Sequence, residues 1–534
     1  MADTGRLTDR RTREKQKSLA MPCYMIPDVD PRNNHCRQHG TQLLHPHQQA
    51  THYNNQHHVI NLIPPVTKQR MGAEDTSGKV TSACVLPGYQ AQMNESGVQY
   101  SEQKLKDAAK DLVSYIEKDG NCAIASFPCQ KEEDTLEYRC KCSFQIVHNG
   151  VTGNLQYAMR HKGKPVPIGS SSFPIANKRI QLAMKGLIDQ VLNNRIQNFS
   201  RISTNLASVT FAASWKDDFD DNNPLQSASD CIVTLNYDSA FDNEERWMEE
   251  ARQICNQLYL SQLNGRSKKR LLSARLSSTE SVPIEKRVLG SVLRDTIWLV
   301  PGTTWDVSLQ QPSQEKCIPV YYQKPEGAFF HPNAYVMRQA LKWMLNQIAD
   351  ITKQSTSSCR LLEMYCGCGA HSVAIAKSRL LSSIHAVELD PRLVDACNIN
   401  IELNNATNNE EANQINKTTP TSVVRGDAGE WAKEQQRKAA SSSKYYQSYD
   451  ILLLDPPRQG LDDEVIHMAI HGEVFQHILI ISCGHDALVR DLKILCEHFE
   501  IIDCNQLDLF PRTDSVETLV HLRRKTTMPC IHNV

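Results

Sequence analysis

The sequence predicts an α/β protein: a doubly wound, Rossmann-like domain at the C-terminal end, an α+β domain before it, and a disordered polar tail in front of both. Three observations carry this. From Arg360 onward, strand-like apolar runs alternate with helical patterns, the signature of a parallel sheet with crossover helices. The first of those strands runs into a glycine turn, Gly367-Cys368-Gly369, and the second ends on a carboxylate, Glu388, about 20 residues later. The opening 80 residues are poor in aromatics and rich in Asn, Gln, His and Pro. The bounds that follow are 1–80 for the tail, 81–320 for the α+β domain, 321–526 for the sheet domain and 527–534 for a short end.

A length of 534 residues suits two to four domains. The formal net charge of −1 gives no global basic field, so any nucleic-acid partner would need a local basic groove. No apolar run approaches the ~18 residues that cross a bilayer, and the start lacks a secretory apolar core. The expected setting is intracellular, with the cytoplasm as compartment, no membrane, and a monomeric chain. Eighteen cysteines without a Cys-x-x-Cys pair read as reduced thiols, with no structural metal and no iron–sulfur cluster. Seven histidines between His35 and His58 fall in the tail and read as low-complexity composition.

Taking the elements in order, Tyr24 and Tyr53 are the only aromatics before Tyr89, too little apolar surface to offset the entropy of ordering the tail. Ser101 to Lys118 is an amphipathic helix with Leu105, Ala108, Leu112 and Ile116 on one face. Tyr138–His148 alternates like a strand, Ile175–Leu192 is helical, and Ser208–Ser214 and Cys231–Tyr237 are strand-like. Asp242 and Glu245 have capping-box spacing and open a helix to about Leu263. Arg266, Lys268, Lys269 and Arg270 form a basic loop.

In the C-terminal domain the strands are expected at Arg360–Tyr365, Ser383–Leu389, Ser422–Arg425, Tyr449–Leu454, Gln476–Ser482, Glu500–Leu507 and Val516–Arg523. Helices are expected at Ser372–Leu381, Arg392–Asn404, Asp463–His471 and Asp486–His498. Asn405–Thr421 and Lys433–Ser448 read as surface insertions. The glycine turn can approach a nucleotide-like ligand, and Glu388 can bond its ribose hydroxyls. NAD fits the same geometry, but Gly367-Cys368-Gly369-Ala370-His371-Ser372 lacks the third glycine of a dinucleotide fingerprint. The fourth strand exits through Asp455-Pro456-Pro457-Arg458-Gln459-Gly460-Leu461. This leaves Asp455 at the ligand edge and Arg458 within reach of a phosphate or base.

The fifth strand runs straight into Cys483, and a helix starting at His485 or Asp486 would lower the thiol's pKa. If the seventh strand returns antiparallel, it begins beside the same edge with Glu517. That carboxylate, amid Val516, Leu519 and Val520, is part desolvated and so raised toward the range of a useful base. A thiolate, a carboxylate and a methyl donor at one edge suit methylation of uridine at C5. Thiolate addition to C6 makes C5 nucleophilic, C5 takes the methyl, and a base removes the C5 proton. A uridine stacked in folded RNA must flip out to reach the thiol.

On these residues the chain resembles the tRNA (uracil-5-)-methyltransferase family, which makes 5-methyluridine in the T-loop, over roughly residues 86 to 526. The resemblance rests on Tyr365-Cys366-Gly367-Cys368-Gly369, Asp455–Leu461, Ile481-Ser482-Cys483 and Phe510-Pro511-Arg512-Thr513-Asp514-Ser515-Val516-Glu517. In the middle region Tyr138–Phe144 resembles the family's Tyr-Arg strand, and Ser172-Phe173-Pro174-Ile175-Ala176 a segment typical of the bacterial tRNA branch. It implies a methyltransferase domain behind an RNA-binding α+β domain, S-adenosylmethionine as methyl donor and tRNA as partner. It further implies Cys483 as nucleophile, Glu517 as base, cofactor contacts at Tyr365, Glu388 and Asp455, and RNA contacts at Arg139 and Arg458. The chain departs from the family pattern at three points. His331 stands where a cofactor-contacting glutamine is usual, Ala370 follows the second glycine, and Gly484-His485 replace Asn-Pro after the nucleophile.

Two other readings compete. A cytosine-5 RNA methyltransferase would share the scaffold but usually carries a cysteine in the fourth-strand motif, which is Asp455-Pro456-Pro457-Arg458 here. A tRNA-binding or folding protein with decayed catalysis would account for His331 and Gly484-His485.

Overall fold

The computed structural model describes residues 95–525 except 120–121, 162, 169–172, 195, 197–198, 216–230, 240–242, 268–270, 276–291, 314–315, 329, 406–417, 442–447 and 472–474. The polar tail, the capping role of Asp242, most of the basic loop after Arg266 and much of both expected insertions lie outside these residues.

In chain order the strands are β1 Ile124–Phe127, β2 Lys141–His148, β3 Leu155–His161, β4 Lys164–Pro167, β5 Leu206–Ala213, β6 Cys231–Tyr237, β7 Gln262–Arg266, β8 Leu271–Arg275 and β9 Val292–Val300. They continue as β10 Asp306–Ser308, β11 Ile318–Pro325, β12 Arg360–Met364, β13 Ser383–Glu388, β14 Thr421–Arg425, β15 Ile451–Leu454, β16 His477–Ser482, β17 Phe499–Leu507 and β18 Glu517–Arg524. The main helices are α1 Gly97–Asp119, α2 Lys178–Gly186, α3 Glu244–Gln257, α4 Ala334–Gln354, α5 Ala370–Ser378, α6 Pro391–Asn405, α7 Ala428–Ala440, α8 Asp463–His471 and α9 His485–Leu495.

The C-terminal part is a doubly wound α/β fold. Its eight-stranded sheet has the order β1-β17-β18-β16-β15-β12-β13-β14. All neighbours are parallel except β18, which runs antiparallel between β16 and β17. Leu452, Leu453 and Leu454 of β15 are fully buried, as expected where helices cover both faces of a parallel sheet. The chain winds one way from β12 to β13 and β14, and the other way to β15 and β16. The carboxyl ends of β12 and β15 therefore flank a topological switch point, where such sheets bind ligands.

Ahead of it, a seven-stranded mixed sheet with the order β4-β3-β2-β5-β6-β7-β8 packs against α2 and α3 around Phe144, Tyr157, Phe211 and Trp247. A three-stranded antiparallel sheet, β10-β9-β11, shares its core with α4 and the large sheet. Asn400 and Asn404 of α6 are buried and pair their amides with the β11 backbone at Gln323 and Tyr321. Asn400 also donates to Cys368 O in the glycine turn at 3.0 Å.

Several expectations need correction. The helix opened near Asp242 is capped by Asn243, whose side chain accepts from Arg246 N at 3.0 Å. It ends at Gln257, and Leu263 belongs to β7. Tyr259, with φ +51, turns the chain there. The helix expected from Ile175 begins at Lys178 behind the cap Asn177 and finishes in a π-helical turn, Leu187–Leu192. The supposed insertion from Lys433 is, through Ala440, the body of crossover helix α7. Its buried stripe is only Ala428, Gly429 and Ala432, too narrow to show as a periodic apolar face. Strand β1 joins the edge of the large sheet from far upstream. Among the described residues no group of three or more His, Cys, Asp or Glu is arranged to hold a metal, and no helix is long and apolar enough to cross a membrane.

Candidate active site

The glycine turn starts where β12 ends. Tyr365 takes a left-handed conformation (φ +64), its hydroxyl donating to Asp462 at 3.1 Å. Gly369 also has positive φ, and a Cβ there would lie 2.6 Å from Cys397 Sγ on α6, so the position admits no side chain. Gly367, at φ +56, faces open space instead. Its N–H donates to Glu388 Oε2 at 2.9 Å, while Glu388 Oε1 accepts from Asp390 N at 2.8 Å. The half-buried Glu388 thus bridges the glycine turn and the end of β13, with lone pairs left for a ligand. An open glycine face beside a carboxylate is a cradle that fits the ribose and amino-acid ends of S-adenosylmethionine.

Asp455 leaves β15 on the other side of the crevice. Its carboxylate lies 3.9 Å from His371 Nδ1, which is 3.4 Å from Glu363 Oε1. Ser372 Oγ bonds the other oxygen of that buried glutamate. Burial pushes Asp455 up to about 7, Glu517 and Glu363 adding to the shift while His371 and His331 oppose it. Burial works against charging His371, but Glu363 and Asp455 outweigh it and hold the imidazole above its ordinary value. Neither Glu363 nor His371 stood out in the sequence, because a buried glutamate within an apolar strand shows no pattern of its own.

Cys483 and Glu517 face each other across one strand edge. Ser482 of β16 pairs with Thr518 of β18, and Leu507 of β17 pairs with Glu517. One residue beyond the Ser482–Thr518 pair, on each strand, stand Cys483 and Glu517. The carboxylate is buried and the thiol half-buried. Helix α9 does begin just after Cys483, but its effect is outweighed. Burial first, then Glu517 and Asp455, push the thiol up to about 11, and the adjacent Arg458 guanidinium pulls the other way.

The residues after Cys483 have structural roles of their own. A Cβ on Gly484 would sit 2.3 Å from Arg458 O, so glycine alone lets the Asp455–Leu461 loop lie against the residue after Cys483. Asp491 of α9 anchors the same loop by accepting from Leu461 N at 2.9 Å. His485 Nε2 lies 3.1 Å from Asp111 Oδ2 on α1. We expect Gly484→Ala to lose about 1–3 kcal/mol of stability from overpacking, and to lose turnover beyond what the stability loss explains because Arg458 moves off the thiol. Urea unfolding alongside initial rates checks this, and wild-type values in both would contradict it.

The turn from Asp508 to Val516, which delivers Glu517, is held from outside the sheet. Lys104 of α1 is buried against it. Its ammonium pairs with Asp508 at 2.5 Å and donates to Thr513 O at 2.8 Å, Ser515 O at 3.0 Å and Phe510 O at 3.3 Å. Arg512, fully buried at φ +64, donates to Thr135 Oγ1 and Glu95 O and pairs with Glu132. Tyr138 donates to Pro511 O at 3.1 Å, and the Arg139 guanidinium lies 4.7 Å from the Phe510 ring centre. Arg139 therefore stands at this turn, while Arg458 reaches Ser515 Oγ at 3.4 Å from the opposite side.

His331 precedes α4. Its Nε2 is 3.9 Å from Glu517 Oε2. The structure thus brings Cys483, Glu517, His331, Asp455 and Arg458 to one place. Tyr365 and Glu388 form the adjoining glycine-turn side, and Arg139 stands behind Phe510.

A tRNA/tmRNA (uracil-C(5))-methyltransferase of Shewanella amazonensis is 27% identical over 436 residues, covering 80% of this chain and 98% of the relative. The protein of the same name from Marinomonas is 26% identical, covering 80% and 97%. Among solved structures, the Pyrococcus abyssi tRNA (uracil-54, C5)-methyltransferase in complex with S-adenosyl-L-homocysteine aligns at a TM-score of 0.47 and 15% identity, over 80% of this chain and 84% of that one. Residues 310–525, which hold the glycine turn, the Asp455 loop, Cys483 and Glu517, match the model of the tRNA (uracil-5-)-methyltransferase family.

Proposed function

We propose that this chain methylates C5 of the T-loop uridine of tRNA, acting as a monomer with S-adenosylmethionine as methyl donor and its α+β domain as the RNA-binding part. The observation that carries the reading is the facing pair Cys483 and Glu517 at the β16/β18 edge, beside the Asp455 end of the glycine-turn crevice.

Tyr365, Glu388 and Asp455 line the crevice that would hold the cofactor, with His331 at its rim. Bound there, S-adenosylmethionine supplies an electrophilic methyl group to C5. Arg139 and Arg458 flank the catalytic turn, placed to meet phosphate or base of a flipped-out nucleotide. A thiol near 11 is protonated in the resting protein, so it gives its proton to water as uridine arrives, and the Arg458 guanidinium favours the thiolate that forms. The thiolate adds to C6, and the C5–C6 π electrons move onto the O4 carbonyl as an enolate, making C5 the nucleophile. After C5 is methylated, the Glu517 carboxylate takes the C5 proton. The electrons of that C–H bond restore the C5–C6 double bond and expel Cys483 as thiolate.

The test is incubation of the protein with labelled S-adenosylmethionine and unmodified tRNA, followed by nucleoside separation. Label is expected in 5-methyluridine. Label in 5-methylcytidine would favour the cytosine reading. No label, with tRNA still bound, would favour a binding protein with decayed catalysis.

A further inference from the structure

We infer that His331 removes from Glu517 the proton taken from C5, so that the base is regenerated for the next turnover. This rests on the function proposed above. Glu517 becomes a carboxylic acid once per cycle, and with its side chain 4% exposed it has almost no water front through which to lose the proton. The His331 side chain is 19% exposed and its Nε2 lies 3.9 Å from Glu517 Oε2, so the imidazole is a solvent-reaching base beside the buried acid.

The hydrogen-bond frame also points the ring correctly. Nδ1 is 2.7 Å from Asn333 O and 3.2 Å from Asn333 N, whose N–H can donate to it, so Asn333 holds the ring in place in either neutral tautomer. The relay uses the tautomer with its hydrogen on Nδ1 toward Asn333 O, which leaves the Nε2 lone pair on the side of Glu517. The backbone carrying the ring is fixed at both ends. Trp215 Nε1 donates to His331 O at 3.1 Å. Asn333, buried at the start of α4, donates to Leu509 O at 3.0 Å and accepts from Tyr335 N at 3.0 Å. The present gap exceeds a hydrogen bond by about 1 Å, a distance that a small side-chain rotation or one bridging water closes in the working complex.

The step balances simply. The Glu517 O–H bond breaks, an Nε2–H bond forms, and Glu517 returns to carboxylate while His331 becomes imidazolium. The imidazolium then releases the proton to water. His331 acts through Glu517, so it is a positioning and relay residue rather than one that touches the reacting carbon.

The experiment uses full-length His331→Gln and His331→Ala with tRNA and labelled S-adenosylmethionine, following the covalent protein–RNA species on denaturing gels. Both variants are expected to complete the first turnover, because Glu517 starts as the carboxylate, and then to clear methylated adduct about 10- to 100-fold more slowly in later turnovers, where Glu517 still holds its proton, so that adduct accumulates. Added imidazole is expected to restore release in His331→Ala. Wild-type clearance of adduct by His331→Gln in later turnovers, or no response of His331→Ala to imidazole, would overturn the relay. Slowed adduct formation with normal release would also overturn it and make His331 a cofactor contact. If the wild-type protein makes no 5-methyluridine at all, the functional reading fails and the relay with it.

Discussion

Replacing Cys483 with alanine is expected to reduce tRNA methylation by on the order of 10⁴-fold or more while leaving the fold intact. The side chain is half-buried at the crevice, so losing one sulfur removes little packing. What disappears is the only step that makes C5 nucleophilic. The thiolate must also be generated in place, because burial, Glu517 and Asp455 hold the thiol near 11. A serine in its place would not rescue turnover, since its hydroxyl is far harder to ionise than a thiol. The measurement is methyl incorporation by Cys483→Ala and Cys483→Ser beside thermal unfolding. Activity within tenfold of wild type in either variant would remove Cys483 from the mechanism.

Lys104→Met is expected to cost about 3–5 kcal/mol of stability, because it strips the partner from a buried carboxylate. Lys104 and Asp508 are almost wholly shielded from water, and the same ammonium also satisfies carbonyl groups at Phe510, Thr513 and Ser515. Four acceptors on one cation fasten the turn that begins β18. Burial holds the lysine below its usual pKa even with Asp508 beside it, which shows how dry the site is. Removing both charges with Lys104→Met and Asp508→Asn should recover part of the loss, since an uncompensated buried charge costs more than a missing pair. Urea titration of the single and double variants checks this, and an exposed-pair cost below about 1 kcal/mol would contradict it.

The parallel sheet was legible because both faces of its strands are buried. Ile451–Leu454 and His477–Ser482 read as continuous apolar runs, and each ends within a residue of where the pattern says. Cys483 was legible for the same reason, as the residue a buried strand runs into. Helix α7 was not, since two alanines and a glycine on its inner face carry no periodic signal. Lys104 and Asp508 lie 404 positions apart and pair only because α1 crosses the end of β17, a contact that local pattern cannot reveal. The direction of the Cys483 pKa was misjudged from sequence. The helix start after it is real, but the sequence shows neither the depth of burial nor that two carboxylates converge on the thiol. His331 was visible as a departure from the family pattern. That it faces Glu517 depends on β18 folding back between β16 and β17.

The central claim is that Cys483 forms a covalent bond to C6 of a tRNA uridine. Fluorine at C5 cannot leave as a proton does, so tRNA containing 5-fluorouridine should halt the reaction after methyl transfer, before elimination. Mass spectrometry of protease- and nuclease-digested complex is expected to find a methylated fluorouridine nucleotide on the peptide containing Cys483, formed only when S-adenosylmethionine is present. A nucleotide on any other cysteine, or the same adduct formed by Cys483→Ala, would contradict the account.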